Sequence, residues 1–262
     1  MGCCCGKHIL VAERRAQLES FDDVIEVQKA EYEAAIDVTA KAFSGTATQE
    51  GASDLHWAMG PQYADFENPK RMELARYTSE MLFLKYVKEG AVVIGRRDEA
   101  GALVAVVVFS RLRGYRSDPC EALTYGIVIA GMSKTAPAWL KKGLPSHMMR
   151  GFDHMGRAEG DFHRAHGRGP HYQIQIAAVD PAAQGQGHSS KLLRRVNELA
   201  DAENVPCFLF TAGPEEQDKA DKVKIYSRFG YEPVAQRTIA DETGKTCTAY
   251  GMVRNYRKAC IQ

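Results

Sequence analysis

A run of strand-forming residues, Tyr172 to Asp180, meets Pro181, then the turn Gln184-Gly185-Gln186-Gly187, then an apolar-striped helix. That junction constrains the chain more than any other stretch. Its small residues let a ligand touch the main chain. The N–H groups of such a turn converge beside a helix N-terminus, a spot that suits a phosphate or pyrophosphate. A phosphate-bearing ligand is therefore expected. A glycine-rich surface turn without a ligand is the other reading of the loop taken alone.

Two common phosphate loops fail on the residues. A Walker loop needs a Lys-Ser or Lys-Thr pair after its last glycine, and none sits there. A dinucleotide fingerprint needs a third glycine and an acid on the next strand. Gly185-Gln186-Gly187-His188-Ser189-Ser190 lacks the glycine, and Pro206 to Thr211 lacks the acid. The form Gln184-x-x-Gly187-x-Ser189 instead resembles the pyrophosphate loop of the GCN5-related N-acetyltransferases. A second motif, Ile225-Tyr226-Ser227-Arg228-Phe229-Gly230-Tyr231, resembles that family's tyrosine followed by glycine and an aromatic residue. It comes after the strand at Pro206 to Thr211, in the family's order. The specific resemblance runs from Tyr172 to Tyr231.

Periodicity fills in the rest. Val24 to Gln28 alternates as a first strand. Tyr32, Ala35, Ile36, Ala40 and Phe43 fall at helical spacing before Gly45. A second helix starts near Pro69 and ends at Gly90. Ala91 to Arg97 and Leu103 to Arg111 form a hairpin around Asp98-Glu-Ala-Gly101. After the glycine turn, Leu192, Leu193, Val196, Leu199 and Ala200 make one helix face. Lys219 to Phe229 is a further helix. Tyr231 to Ile239 and Cys247 to Arg254 form a terminal hairpin around Asp241 to Gly244. The predicted fold is one α/β domain over residues 22–262, a mixed central sheet flanked by helices, as the resemblance implies. Residues 113–170 read as an insertion before the central strand. They hold His147, His154, His163 and His166, with His171 just beyond, and no metal-ligand spacing. No metal is expected.

Composition bounds the function. The net charge of +1 advertises no nucleic-acid surface. No apolar run reaches membrane-spanning length. The seven cysteines suggest neither a disulfide framework nor a zinc site, and a reducing, cytoplasmic setting is expected. Residues 1–21 read as a tail. Its start, Met1-Gly2-Cys3-Cys4-Cys5, resembles dually acylated termini: Gly2 would take myristate and the cysteines palmitate. Two outcomes stand, a membrane-associated acylated tail or an unmodified disordered one.

The resemblance implies acetyl-CoA as co-substrate and direct transfer of its acetyl group to an amine, expected to be a small molecule. Ala178 and Val179 would hold the thioester carbonyl through main-chain N–H groups. Gln184, Gly185, Gln186, Gly187, His188, Ser189 and Ser190 would hold the pyrophosphate, and Tyr226 would protonate the leaving thiolate. The family's strand glutamate is replaced by Gln173. His171, on the same strand face as Gln173 and Gln175, is the candidate base, beside a water chain. Lys219 stands where the family often has asparagine. These departures leave a second reading open: a non-catalytic acyl-CoA-binding module tethered to a membrane. The loop acids Glu50, Asp54, Asp65 and Glu67 with Trp57 offer a cationic amine a surface, or are simply solvated.

Overall fold

The computed structural model describes residues 24–44, 63, 68–114, 136–140, 156–157, 159–166, 169–214, 219–240 and 246–256. The tail with Gly2 and Cys3 to Cys5 lies outside these residues. So do the acidic loop around Trp57, the apolar run Leu123 to Ile129 and the turn Asp241 to Gly244.

Seven strands form one sheet: β1 (Ile25–Glu26), β2 (Val92–Arg97), β3 (Leu103–Leu112), β4 (His171–Val179), β5 (Cys207–Pro214), β6 (Glu232–Ala240) and β7 (Thr246–Arg254). Their spatial order is β1-β2-β3-β4-β5-β7-β6. Every pair is antiparallel except β4 with β5. The helices are α1 (Tyr32–Ser44), α2 (Pro69–Lys88), α3 (159–166), α4 (His188–Glu203) and α5 (Lys219–Ser227). The mixed α/β sheet expected from the sequence is the sheet observed.

Each face of the sheet has its own core. Leu192, Leu193, Val196 and Leu199 of α4 pack on Val107, Phe109, Tyr172, Ile174, Cys207 and Leu209. On the other face, Ile36 of α1 and Phe83 of α2 pack on Val93, Val106, Val108, Ile176 and Ala178. Burying a side chain of that size contributes about 1.5–3 kcal/mol, so these two layers carry most of the fold's stability. Residues at the helix starts agree with local chemistry. Asn68 caps α2, its side chain accepting from Lys70 N–H at 3.0 Å, with Pro69 in the first turn.

The elements differ from expectation mainly at their ends. β1 shrinks to two residues, the length over which it pairs with β2. β5 runs on to Pro214 because β7 pairs with it that far, Pro214 against Cys247. α5 stops at Ser227 because Gly230 turns the chain at φ 85°. The insertion is not a separate unit. Its helix α3 docks on the sheet, with Phe162 packed edge-on against Phe208 at 5.2 Å. Gly251 of β7 makes room: a Cβ there would collide with the Phe162 ring.

Candidate functional site

The sheet opens in its middle. β4 and β5 pair only at Tyr172–Cys207, Gln173–Phe208 and Ile174–Leu209. From Gln175 onward β4 keeps its β3 ladder but has none with β5, while β5 continues along β7 to Pro214. Two parallel strands that part this way leave a wedge. Alternate main-chain N–H and C=O groups of β4 face into it without a strand partner.

A β-bulge sits at the mouth of the wedge. Val108 pairs with Ile176 and Phe109 with Ile174, so Gln175 is the extra residue. The bulge changes which side chains face which core. Tyr172 and Ile174 face α4 before it, and Ala177 and Val179 do so after it. Ile176 and Ala178 face α1 and α2. Ala178 and Val179 therefore lie on the splayed half of β4, pointing their side chains to opposite faces. The sequence showed alternation along this strand but held no sign of the bulge.

The glycine turn follows directly. Asp180 caps the 3-10 turn Pro181–Ala183, its carboxylate accepting from Ala182 N–H at 3.0 Å and from Lys41 of α1 at 2.9 Å. Gly185 and Gly187 both take the left-handed conformation, φ 78°. Built on either glycine, a Cβ would meet nothing within 4 Å, so the turn borders open space. Gln184 to Gly187 are exposed, His188 is buried, and Ser189 and Ser190 are half-buried. Gly187 is the N-cap of α4 and offers no side-chain acceptor to the first turn. Those N–H groups are the ones a helix leaves unsatisfied and an anion fills. Burial first, then the charges of Arg96 and Lys191, push the His188 imidazole below its ordinary pKa. Two cations thus stand near the start of α4.

α4 is tied down at its far end, which sets the turn at its near end. Glu203 accepts from the Tyr172 hydroxyl and from Arg111 Nε, each at 2.6 Å. Asp201 receives Arg254 of β7 through both oxygens, at 2.8 and 2.6 Å. The Tyr231 hydroxyl bridges Asn197 of α4 at 2.7 Å and Cys207 at 3.0 Å. Burial pushes the Cys207 thiol up to about 12, so it holds its proton and is not a nucleophile. Sequence reasoning treated Cys207 as core and missed Tyr231 and Asn197. Their signal, an aromatic after Gly230 and a polar residue on an apolar face, carries no distance information.

Tyr226 lies near the end of α5, half-buried and packed against the α4-side core. Its ring meets Tyr231 edge-on at 6.2 Å. Its carbonyl accepts from Phe229 and Tyr231 N–H groups at 2.9 and 3.3 Å, which closes the turn through Gly230. Lys222 donates to the Ala212 carbonyl at 2.7 Å, holding α5 against the splayed half of β5. The side chain of Lys219 lies outside the described residues.

His171 has surroundings unlike those of a base working near neutrality. Its ring is 0% exposed and stacks on Phe208 at 4.3 Å and on His163 at 5.6 Å. Its Nδ1–H donates to the Gly169 carbonyl at 2.8 Å, the neutral tautomer that fits this partner. Burial, chiefly, with the nearby charges of His163 and Arg111, pushes its pKa down to about 4. The acid on this face is one the sequence reading did not name. Gln173, at the strand position where a carboxylate was looked for, donates its amide to Glu159 of α3 at 2.5 Å.

No protein-family model matches the chain. An uncharacterized N-acetyltransferase of Schizosaccharomyces pombe is 35% identical over 85 residues, 31% of this chain and 32% of that protein. The match thus spans about a third of the relative's length. Among solved structures, arylalkylamine N-acetyltransferase 2 from Aedes aegypti superposes with a TM-score of 0.54 at 14% identity, over 89% of this chain and 98% of that one. A histone acetyltransferase and related acetyltransferase from Corynebacterium glutamicum gives 0.50 at 20% identity, over 91% and 98%. These likenesses carry the fold. With the parted central strands, the bulge and the open turn in the same places, the chain belongs by fold to the GCN5-related N-acetyltransferase superfamily.

Proposed function

We propose that this protein is an acyltransferase that moves an acetyl group from acetyl-CoA directly to an amine. The observation that carries the reading is the wedge between β4 and β5 with the open glycine turn at its end. The wedge offers unpaired main-chain N–H groups to a thioester carbonyl, and Ala178 and Val179 are the residues assigned to it. Such donors stabilise the oxyanion that forms as nitrogen attacks. The turn from Gln184 to Ser190 offers its N–H groups and the start of α4 to the pyrophosphate. The neighbouring Arg96 and Lys191 supply positive charge.

Tyr226 is assigned the proton for the departing thiolate. A phenol with a pKa of about 10 is protonated at neutral pH and is a stronger acid than water. Direct transfer is favoured over an acyl-enzyme because the candidate thiol, Cys207, is buried and keeps its proton. No observation singles out the membrane-tethered binding module.

The cofactor assignment is tested with Gly187→Asp. Gly187 adopts φ 78° beside open space, so a carboxylate there meets no wall but stands where phosphate charge belongs. It also asks a non-glycine residue for a left-handed backbone, which costs about 1 kcal/mol. Titration calorimetry is expected to show coenzyme A binding lost in a protein that still melts cooperatively. Unchanged affinity in the folded variant would end the assignment.

A further inference from the structure

Glu159 stands out once the proposed wedge is in view. It belongs to α3, in the stretch read from sequence as an insertion. Its Oε1 accepts the Gln173 amide at 2.5 Å and lies 3.5 Å from His163 Nε2, one turn along the same helix. Both partners are deeply buried, Gln173 at 6% and His163 at 3% exposure. The Glu159 side chain itself is 34% exposed. It is a carboxylate gripped from behind by two buried groups and open in front.

Its place matters as much as its grip. Gln173 is one residue before Ile174, the last β4 residue paired with β5. At about 3.3 Å per residue, the first unpaired rung lies some 3–7 Å along the strand from Gln173. Gln173 is on the face that carries α1, α2 and α3, away from α4. A thioester bound in the wedge, with its pyrophosphate at the start of α4, would present its carbonyl carbon beside this carboxylate. Phe162, seated over Gly251 and against Phe208, holds α3 in position.

We propose that Glu159 receives the acceptor's ammonium group and takes its proton, so that the inserted helix supplies the carboxylate that the central strand lacks. The inference rests on the acetyl-transfer reading above and names its acceptor class: a primary amine that is cationic before it reacts. Gln173 and His163 are positioning residues. The groups facing Glu159 are His163 on α3, Gln173 on β4 and Lys85 on α2, and Lys85 also lies 4.0 Å from Glu89. His171 of β4 stacks on the far side of His163. Burial raises the proton affinity of Glu159, but the His163 bond, the charge of Lys85 and the Gln173 amide outweigh it, leaving the pKa lowered. The group is thus ionised at neutral pH. It attracts a cation and passes a proton on rather than keeping it.

The protons balance as follows. The ammonium N–H bond breaks and its proton goes to a Glu159 oxygen, then to solvent. The freed nitrogen pair bonds the carbonyl carbon, and the C–S bond breaks. The thiolate takes the Tyr226 proton, and the nitrogen's second proton restores Tyr226 through solvent. The products are an amide, free coenzyme A and one proton.

The test is Glu159→Gln, which keeps the shape and removes the charge. Primary amines of several kinds (a polyamine, an arylalkylamine, a lysine peptide) are screened with acetyl-CoA by thiol release. For the best amine, kcat/KM is expected to fall about 100-fold or more, the general-base range. Coenzyme A affinity and the melting temperature should stay near the wild type's. The N,N,N-trimethyl analogue of that amine, which has no proton to give, should inhibit the wild type and lose potency against Glu159→Gln. Glu159→Asp should retain intermediate activity. If Glu159→Gln does not fold, Glu159→Asp carries the test, and a wild-type kcat/KM there overturns the proposal. A wild type that turns over while Glu159→Gln keeps its rate and inhibitor affinity overturns Glu159 alone and leaves acetyl transfer standing. A wild type with no turnover on any amine overturns both.

Discussion

At pH 7 His171 is a neutral ring in a stack of rings, with Phe208 on one side and His163 on the other. Its folded pKa lies near 4, against 6.5 for the free side chain. Between those values the unfolded chain binds a proton that the folded protein does not. Stability contributed by the buried ring is complete above pH 6.5 and is lost as the pH falls toward 4. A shift of that size is worth about 3 kcal/mol. Urea unfolding of the wild type is expected to show stability rising through this window. In His171→Asn, which can still donate to Gly169, that slope should be flatter by about the same amount. An equal slope would mean that the ring is solvated. The residue type was visible in the sequence; its surroundings were not. Phe208 and His163 reach it from a different strand and from the insertion, and no local pattern brings them together.

Elements were far more legible than contacts. The hairpin around Asp98 and Gly101 and the start of α2 at Pro69 follow from turn and cap chemistry within a few residues. The glycine turn and the tyrosine motif stood out because each packs its signal into seven residues or fewer. What stayed hidden needed long-range geometry: the bulge at Gln175, the parting of β4 from β5, and the docking of α3. The last of these hangs on Gly251. Its side-chain position is filled by the Phe162 ring, so Gly251→Val must push α3 off β7 or distort the sheet. Overpacking of this kind costs about 1–3 kcal/mol. Acetyl transfer is expected to fall with the displacement of Glu159, while coenzyme A binding, set on the opposite face by the α4 turn, should persist. Calorimetry and thiol release on the same preparation separate the two. Loss of both together would mean that α3 supports the whole sheet rather than the acceptor side.

At the scale of the molecule, the two faces of the sheet divide the labour. The α4 face is anchored by Glu203, Asp201 and Asn197 and presents the cofactor turn. The α1–α2–α3 face presents Gln173 and Glu159. The wedge between β4 and β5 connects the two through the sheet, which is where a thioester and an amine would have to meet. The most direct measurement is a mixture of wild-type protein, acetyl-CoA and the amine panel, followed by free-thiol release and by the mass of the amine product. Amine-dependent thiol release with a product heavier by one acetyl group is expected. In Tyr226→Phe, which keeps the ring and loses only the hydroxyl, kcat should be about 10- to 1000-fold lower at similar coenzyme A affinity. Coenzyme A binding without acetylated product from any amine, under conditions where the protein is folded, would contradict catalysis and leave a binding module.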